Sequence, residues 1–212
     1  MEKIKNSKAW KISKKIFLVI LSIYMVIVFI RLFQVLDERK TSAQVQKIHS
    51  TKLTMDDVMG KNLPTDPGAE ADKTVAGFDT NMNGIRDDVE LAVFKEYPNS
   101  AKTRAVLLQY ALALQMETVQ PFLNTTTVTE IVREEDRAHY CVADTLVPRK
   151  TPESSRGYAE GLKIDNFIKV IDDKQYNTKE RKDAQLSFIK LLRSYSDLDG
   201  EVCDIDISKL KN

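Results

Sequence analysis

"AKTRAVLLQYALALQMETVQ", residues 101–120, decides the fold class. Between Ala105 and Leu114 only Gln109 and Tyr110 offer polar side-chain atoms. A helix here is apolar nearly all round and belongs in the middle of a helical assembly. A second membrane span is the rival reading, but the run is about ten residues and a span needs about twenty. Ser100 stands where it can cap the helix, and Pro121 where it ends it.

The flanking segments carry the same period. "DDVELAVFKEY" (87–97) sets Val89, Ala92, Val93 and Tyr97 roughly on one face, and Pro98 stops it. "TVTEIVREEDRAHYCVADTL" (127–146) opens with Thr127 and Glu130 at capping-box spacing, followed by a narrower face of Ile131, Ala138 and Val142. Thr151-Pro152-Glu153 has the pattern of a further helix start, with proline at the first helical position. Thr178 caps a last helix with Ala184, Phe188, Leu191, Leu192 and Tyr195 on one stripe. No stretch alternates as strands do. The spacing predicts an all-α fold, a bundle of four or five helices.

Ahead of the bundle the chain is of another kind. "MEKIKNSKAWKISKK" carries six lysines, and "IFLVILSIYMVIVFI" (Ile16 to Ile30) carries no charge. Apolar character continues through Arg31 to Leu36, the length a helix needs to cross the hydrocarbon. Lysines before the span predict a cytoplasmic N terminus and a domain on the far side. A cleavable signal peptide has a shorter apolar core and a nearby small-residue cleavage site. Here "RLFQVLDERK" follows, and Ala43 arrives too late. The expected organisation is a basic cytoplasmic segment 1–15, a signal anchor 16–36 in the lipid bilayer, a polar stalk 37–62 and a helical domain 63–212. A bacterial inner membrane with the domain in the periplasm or outside the cell is the expected address.

Of 32 Lys/Arg and 31 Asp/Glu, seven and one fall in residues 1–36, which leaves 25 and 30 for residues 37–212. That acidic excess argues against nucleic-acid binding.

One polar stretch stands out, "DTNMNGIRDDVE" (79–90). Asp79, Asn81, Asn83, Gly84 and Glu90 satisfy the calcium-loop signature D-x-[DN]-x-[DN]-G-x5-E. Calcium takes six to eight oxygens, and alternate residues of a tight loop aim theirs inward. The ligand set read from the spacing is Asp79, Asn81, Asn83, the Ile85 carbonyl, Asp87 directly or through water, and Glu90 with both oxygens. Gly84 permits the sharp turn. The competing reading is a polar turn before a helix N-terminus. The twelve residues resemble an EF-hand loop, and still more the loops of dockerins and thrombospondin type 3 repeats. Bacterial envelope segments of the form "DxDxDGIxDxxE" are also similar. Met82 departs from a frequent glycine, Asn81 and Asn83 replace carboxylates, and the motif occurs once. With three formal charges and no incoming helix, the resemblance implies a weak structural brace rather than a sensor.

Cys141 and Cys203, the two cysteines, are expected to pair in an oxidising compartment, closing a loop of about 60 residues. "SDLDGEVCDID" matches the calcium signature only in Asp197, Asp199 and Gly200 and reads as a solvated turn. His139 lies two residues before Cys141, so on a helix their side chains diverge. Glu134, Glu135 and Asp136 read as a solvated helix face, and Asn124-Thr125-Thr126 matches a glycosylation sequon. No nucleophile elbow, phosphate loop or zinc motif is present. The expectation is a non-enzymatic envelope protein that binds another envelope protein as scaffold, inhibitor or complex subunit. The alternatives are an envelope hydrolase with acidic residues, and a small subunit acting through its span.

Overall fold

The helix expected at 101–120 runs Ala101–Val119 in the computed structural model, which describes residues 8–121, 123–151, 153–193 and 200–211. Among these residues the chain is all-helical, with no strand. The helices are α1 (Lys8–Ser50), α2 (Met55–Val58), α3 (Asp87–Glu96), α4 (Ala101–Val119), α5 (Thr125–Leu146), α6 (Tyr158–Gln175) and α7 (Lys179–Ile189). Short 3-10 turns occupy Gly68–Asp72 and Ile207–Lys209. Pro152, Tyr195, Asp197 and Asp199 lie outside the described residues.

The chain divides into two compact units, Met1–Gln44 and Val45–Asn212. In the first, the apolar side chains from Ile16 to Leu36 stand exposed along α1. By length and composition α1 is able to cross a membrane.

In the second unit α4 is the hub. Every residue from Thr103 to Glu117 is buried, and α2, α3, α5, α6 and α7 all pack against it. Apolar character on all sides of α4 therefore has its expected cause. Ser100 accepts from Thr103 N at 3.2 Å, and Thr178 accepts from Arg181 N at 3.3 Å, as the caps of α4 and α7. On α5, Ile131, Ala138 and Val142 face the core.

Three local expectations are corrected. The α5 box uses Asn124 and Thr127, not Thr127 and Glu130. Asn124 Oδ1 accepts from Thr127 N at 2.9 Å, and Thr127 Oγ1 accepts from Asn124 N at 2.9 Å. That places the cap on the residue of the sequon. Helix α6 starts at Tyr158, where Glu160 accepts from Gly157 N at 2.7 Å, rather than near Thr151.

The third correction concerns residues 37–62. Helix continues to Ser50, and Ile48, Leu53 and Val58 are core residues at 2%, 4% and 0% exposure. Arg104 donates to the Val58 carbonyl at 3.1 Å. The folded unit thus begins near Val45, not Leu63. Three apolar residues among mostly polar ones make no period, and their burial depends on what α4 and α5 offer them.

The C-terminal segment is held from several directions. Cys141 on α5 and Cys203 bring their sulfurs to 2.01 Å with Cα atoms 5.1 Å apart. Gln109 donates to the Val202 carbonyl at 2.8 Å and accepts from Asp204 N at 2.9 Å. Arg137 pairs with Glu134 and Asp204, and Lys52 donates to Glu134 at 2.7 Å. Replacing both cysteines by serine is expected to lower unfolding stability by about 4 kcal/mol, the chain-entropy value for a loop of this length. The check is the urea midpoint under oxidising conditions. A midpoint equal to that of the unaltered chain contradicts it.

Candidate cation loop and a buried acid cluster

Residues 79–90 form a tight turn that runs into the first residues of α3, and hydrogen bonds from its own backbone shape it. Asp79 accepts from Asn83 N at 3.1 Å and Gly84 N at 2.9 Å. Asn83 Oδ1 accepts from Ile85 N at 2.9 Å, and Asn81 donates to Glu90 at 3.0 Å. Asp87 accepts from both the amide and the hydroxyl of Thr80, at 2.9 and 2.8 Å. Of the six residues in the expected ligand set, Ile85, Asp87 and Glu90 are fully buried; Asp79, Asn81 and Asn83 are partly so. The Ile85 side chain anchors the turn in the core at 0% exposure.

Backbone conformation explains two residue choices. Gly84 has φ +86°, and a Cβ there would come within 2.6 Å of Leu112 Cδ1 on α4. Met82 has φ +57°, the left-handed conformation that favours glycine, which is why glycine is frequent at this place in similar loops. Its side chain is 87% exposed and packs on little. Gly84→Ala is expected to cost about 2–4 kcal/mol, from left-handed strain and the clash with Leu112 together. Met82→Gly is expected to lose nothing and to gain up to about 1 kcal/mol, the relieved strain being partly offset by glycine's freedom in the unfolded chain. Urea denaturation of both variants checks the pair; equal losses would refute the account.

The electrostatics of the loop are one-sided. Among the described residues no Lys, Arg or His forms an ion pair with Asp79, Asp87 or Glu90. Arg86, the nearest base in sequence, is wholly buried and engaged elsewhere: it pairs with Asp88 and donates to the carbonyls of Lys174 and Gln175 at 2.6 and 3.0 Å. Burial pushes the Glu90 carboxyl up to about 7 and raises that of Asp79 as well. Enclosed carboxylates without a cation are costly, and clustered carboxylate and amide oxygens are what a hard divalent cation takes. Among the described residues no group of three His, Cys, Asp or Glu side chains is arranged to hold a metal. A loop of this type draws part of its oxygen set from asparagines and a backbone carbonyl. A cavity of about 540 Å³ opens beside the turn, lined by Ile48, Lys52, Asp79, Asn83 and Met116 among others.

Sequence reasoning missed the supports of this turn. Thr80 holds Asp87, and the Asn62 carbonyl accepts from Asn81 at 3.0 Å. Gln115 on α4 donates to the Ala76 carbonyl at 2.7 Å and accepts from Gln175 at 2.6 Å. A buried glutamine in an apolar helix was the available signal for the last of these.

The run Glu134-Glu135-Asp136 is not a uniformly solvated face, and that reading is corrected. Glu134 is buried, with Lys52, Arg137 and His49 around it. Glu135 turns to a second cluster at the crossing of α4, α5 and α6. There the Glu135 carboxyl is a neighbour of the buried Glu117 carboxyl and helps hold its pKa above the usual carboxylate range. Tyr176 Oη donates to Glu117 at 2.7 Å, and Tyr110 Oη donates to Asp172 at 3.1 Å. Burial, with the neighbouring carboxylates, raises the pKa of Glu117, Glu135 and Asp172. Three acids on three helices, each placed by a different helical phase, leave no motif in the sequence.

No protein-family model, curated protein or solved structure matches this chain.

Proposed function

We propose that this chain is a non-enzymatic envelope protein, anchored by α1 in a bacterial inner membrane, whose loop 79–90 binds calcium as a structural brace. Its N terminus is cytoplasmic and its helical domain lies in the periplasm or outside the cell, where that domain binds another envelope protein as scaffold, inhibitor or complex subunit. The observation that carries the reading is the loop itself. Asp79, Asp87 and Glu90 of an EF-hand-like signature belong to one turn packed against the core, and no described basic side chain pairs with them. A divalent cation supplies the missing charge and joins Asp79 and Glu90, the first and last residues of the loop, through one centre. The brace then fixes the turn on α3 and α4, the helices it already contacts.

Two further observations support the address. Six lysines precede the apolar run, as in a helix whose N terminus stays in the cytoplasm. The cysteine pair at bonding distance suits an oxidising compartment. For catalysis the relevant groups are Glu117 and Glu135, but the cavities beside the loop and beside the C-terminal segment are not lined by either. A hydrolase needs its acid pair open to substrate, so the non-enzymatic reading is preferred.

The experiment is calcium titration of the full chain in detergent micelles, followed by calorimetry and by thermal melts. Saturable heat with a rising melting temperature is the expected result. No heat at millimolar calcium would sink the brace.

A further inference from the structure

From the placement of Lys11, Lys14 and Lys15 on α1 we infer that the start of this helix carries a site for the headgroup of an anionic phospholipid. The inference rests on the membrane anchor proposed above and not on calcium binding. Residues i, i+3 and i+4 of a helix are neighbours on one face, so the three lysines form a triangle within one turn. All three are exposed, and among the described residues none of them is in an ion pair. Between Glu2 and Asp37 the sequence contains no acid. Asp37 lies beyond the apolar run, about 33 Å along the helix from Lys15. The counter-charge for the triangle therefore comes from outside α1.

Neighbouring side chains give the site a second part. Trp10, Ser13, Lys14 and Phe17 line a common groove on α1, and Lys14 belongs to both the groove and the triangle. The Lys14 ammonium and the Ser13 hydroxyl are donors for phosphate oxygens. Phe17, nearly one turn further on and 62% exposed, offers an apolar ring at the start of the uncharged run. A phospholipid changes character in the same order, from phosphate to acyl chain.

The dimensions agree. Lys11 to Lys15 covers about 6 Å of the helix axis, and the headgroup layer on one side of a bilayer is about 5–7 Å thick. With Ile16 opening the apolar run, the triangle falls in that layer. Each ammonium near an anionic surface favours it about fivefold, the equivalent of roughly 1 kcal/mol. A zwitterionic headgroup brings its own cation against the lysines and gains less. Direction of insertion depends on how many lysines precede the span, whereas a headgroup site depends on which face they occupy. Acidic lipid is thereby enriched around the cytoplasmic end of α1, and the anchored domain gathers where such lipid is abundant.

The test uses Trp10, the single tryptophan of the chain, as an energy-transfer donor in the full chain reconstituted in phosphatidylcholine vesicles. The acceptor is a trace of pyrene-labelled phosphatidylglycerol or, in a parallel sample, pyrene-labelled phosphatidylcholine. Transfer to the acidic lipid is expected to show an enrichment of at least about fivefold over random mixing. The triple variant Lys11→Gln, Lys14→Gln, Lys15→Gln is expected to lose most of it. A second triple variant, Lys3→Gln, Lys5→Gln, Lys8→Gln, removes as many charges from the same segment and is expected to keep it. Inorganic phosphate at millimolar concentration is expected to leave the transfer unchanged. Equal transfer to the two lipids overturns the site. An equal loss in both triple variants also overturns it, because charge count and not the face then sets the effect. Displacement by inorganic phosphate overturns the lipid as occupant. Flotation with pure phosphatidylcholine vesicles checks the anchor by itself. A chain that floats without preferring the acidic lipid keeps its anchor and loses the site; a chain that does not float loses both.

Discussion

Calcium at about 10 mM is expected to raise the melting temperature of the full chain by about 3–10 °C, and Glu90→Gln is expected to abolish that rise. Loops of the extracellular class bind with Kd of about 10⁻⁴ to 10⁻³ M. Binding to the folded state alone then contributes about 1.4–2.7 kcal/mol, and a domain of this size gains about 2–4 °C per kcal/mol. Glu90 is the decisive residue because it is 1% exposed and its carboxylate would close the coordination sphere with both oxygens. Glutamine keeps the size and still accepts the Asn81 amide, which donates at 3.0 Å. In chelator the variant should be as stable as the unaltered chain or more so, since it removes a buried acid that no base offsets. A structural fault would instead lower the melting temperature in chelator. Calorimetric heat of equal size in both proteins would rule Glu90 out as a ligand.

Arg181→Met should produce the largest loss of stability, about 3–5 kcal/mol, or on the order of 10 °C. Arg181 on α7 is wholly buried, and its guanidinium serves one short stretch of chain together with the Asn177 side-chain oxygen. It donates to the carbonyls of Ala71, Thr74 and Val75 at 2.5, 3.1 and 3.1 Å and pairs with Asp72 at 2.6 Å. Asp72 is about half exposed and returns to water when the arginine is lost; the three carbonyls do not all have that recourse. Methionine fills the volume without replacing a donor. Lysine should recover only part of the loss, because one ammonium cannot reach the positions that a planar fork serves together. The same stretch leads into Gly77, Phe78 and Asp79, so Arg181→Met is also expected to weaken calcium heat in the titration above. A melting temperature within about 2 °C of the unaltered chain would show that the stretch holds without its arginine.

The two variants mark how much was legible beforehand. Glu90 stands out in the sequence because its partners in the motif lie within twelve residues. Arg181 does not, since a charged residue in "TKERKDAQLSF" looks like any solvated helix position. Its acceptors lie up to 110 residues away. The cap on α5 shows the same limit at short range. Thr127 with Glu130 fits the box pattern in sequence, but the helix starts three residues earlier, and Asn124 and Thr127 exchange the capping bonds. Stability studies should therefore begin the folded unit near Val45. A fragment starting at Leu63 would lose Ile48, Leu53 and Val58 from the core, and with them the Val58 carbonyl that Arg104 caps.

What the sequence determined by itself are features caused by neighbours in the chain: the apolar length of α1, the all-round burial of α4, the caps at Ser100 and Thr178, and the spacing of the loop motif. The helical period and the reach of a side chain over three or four residues are enough to produce them. Tertiary structure alone decided that residues 45–58 enter the core, that Arg181 holds the backbone of 71–75, and that Glu117 meets Glu135. In each case the partners lie far apart in the chain, and a buried guanidinium is stable only where packing brings acceptors to replace the water it has lost.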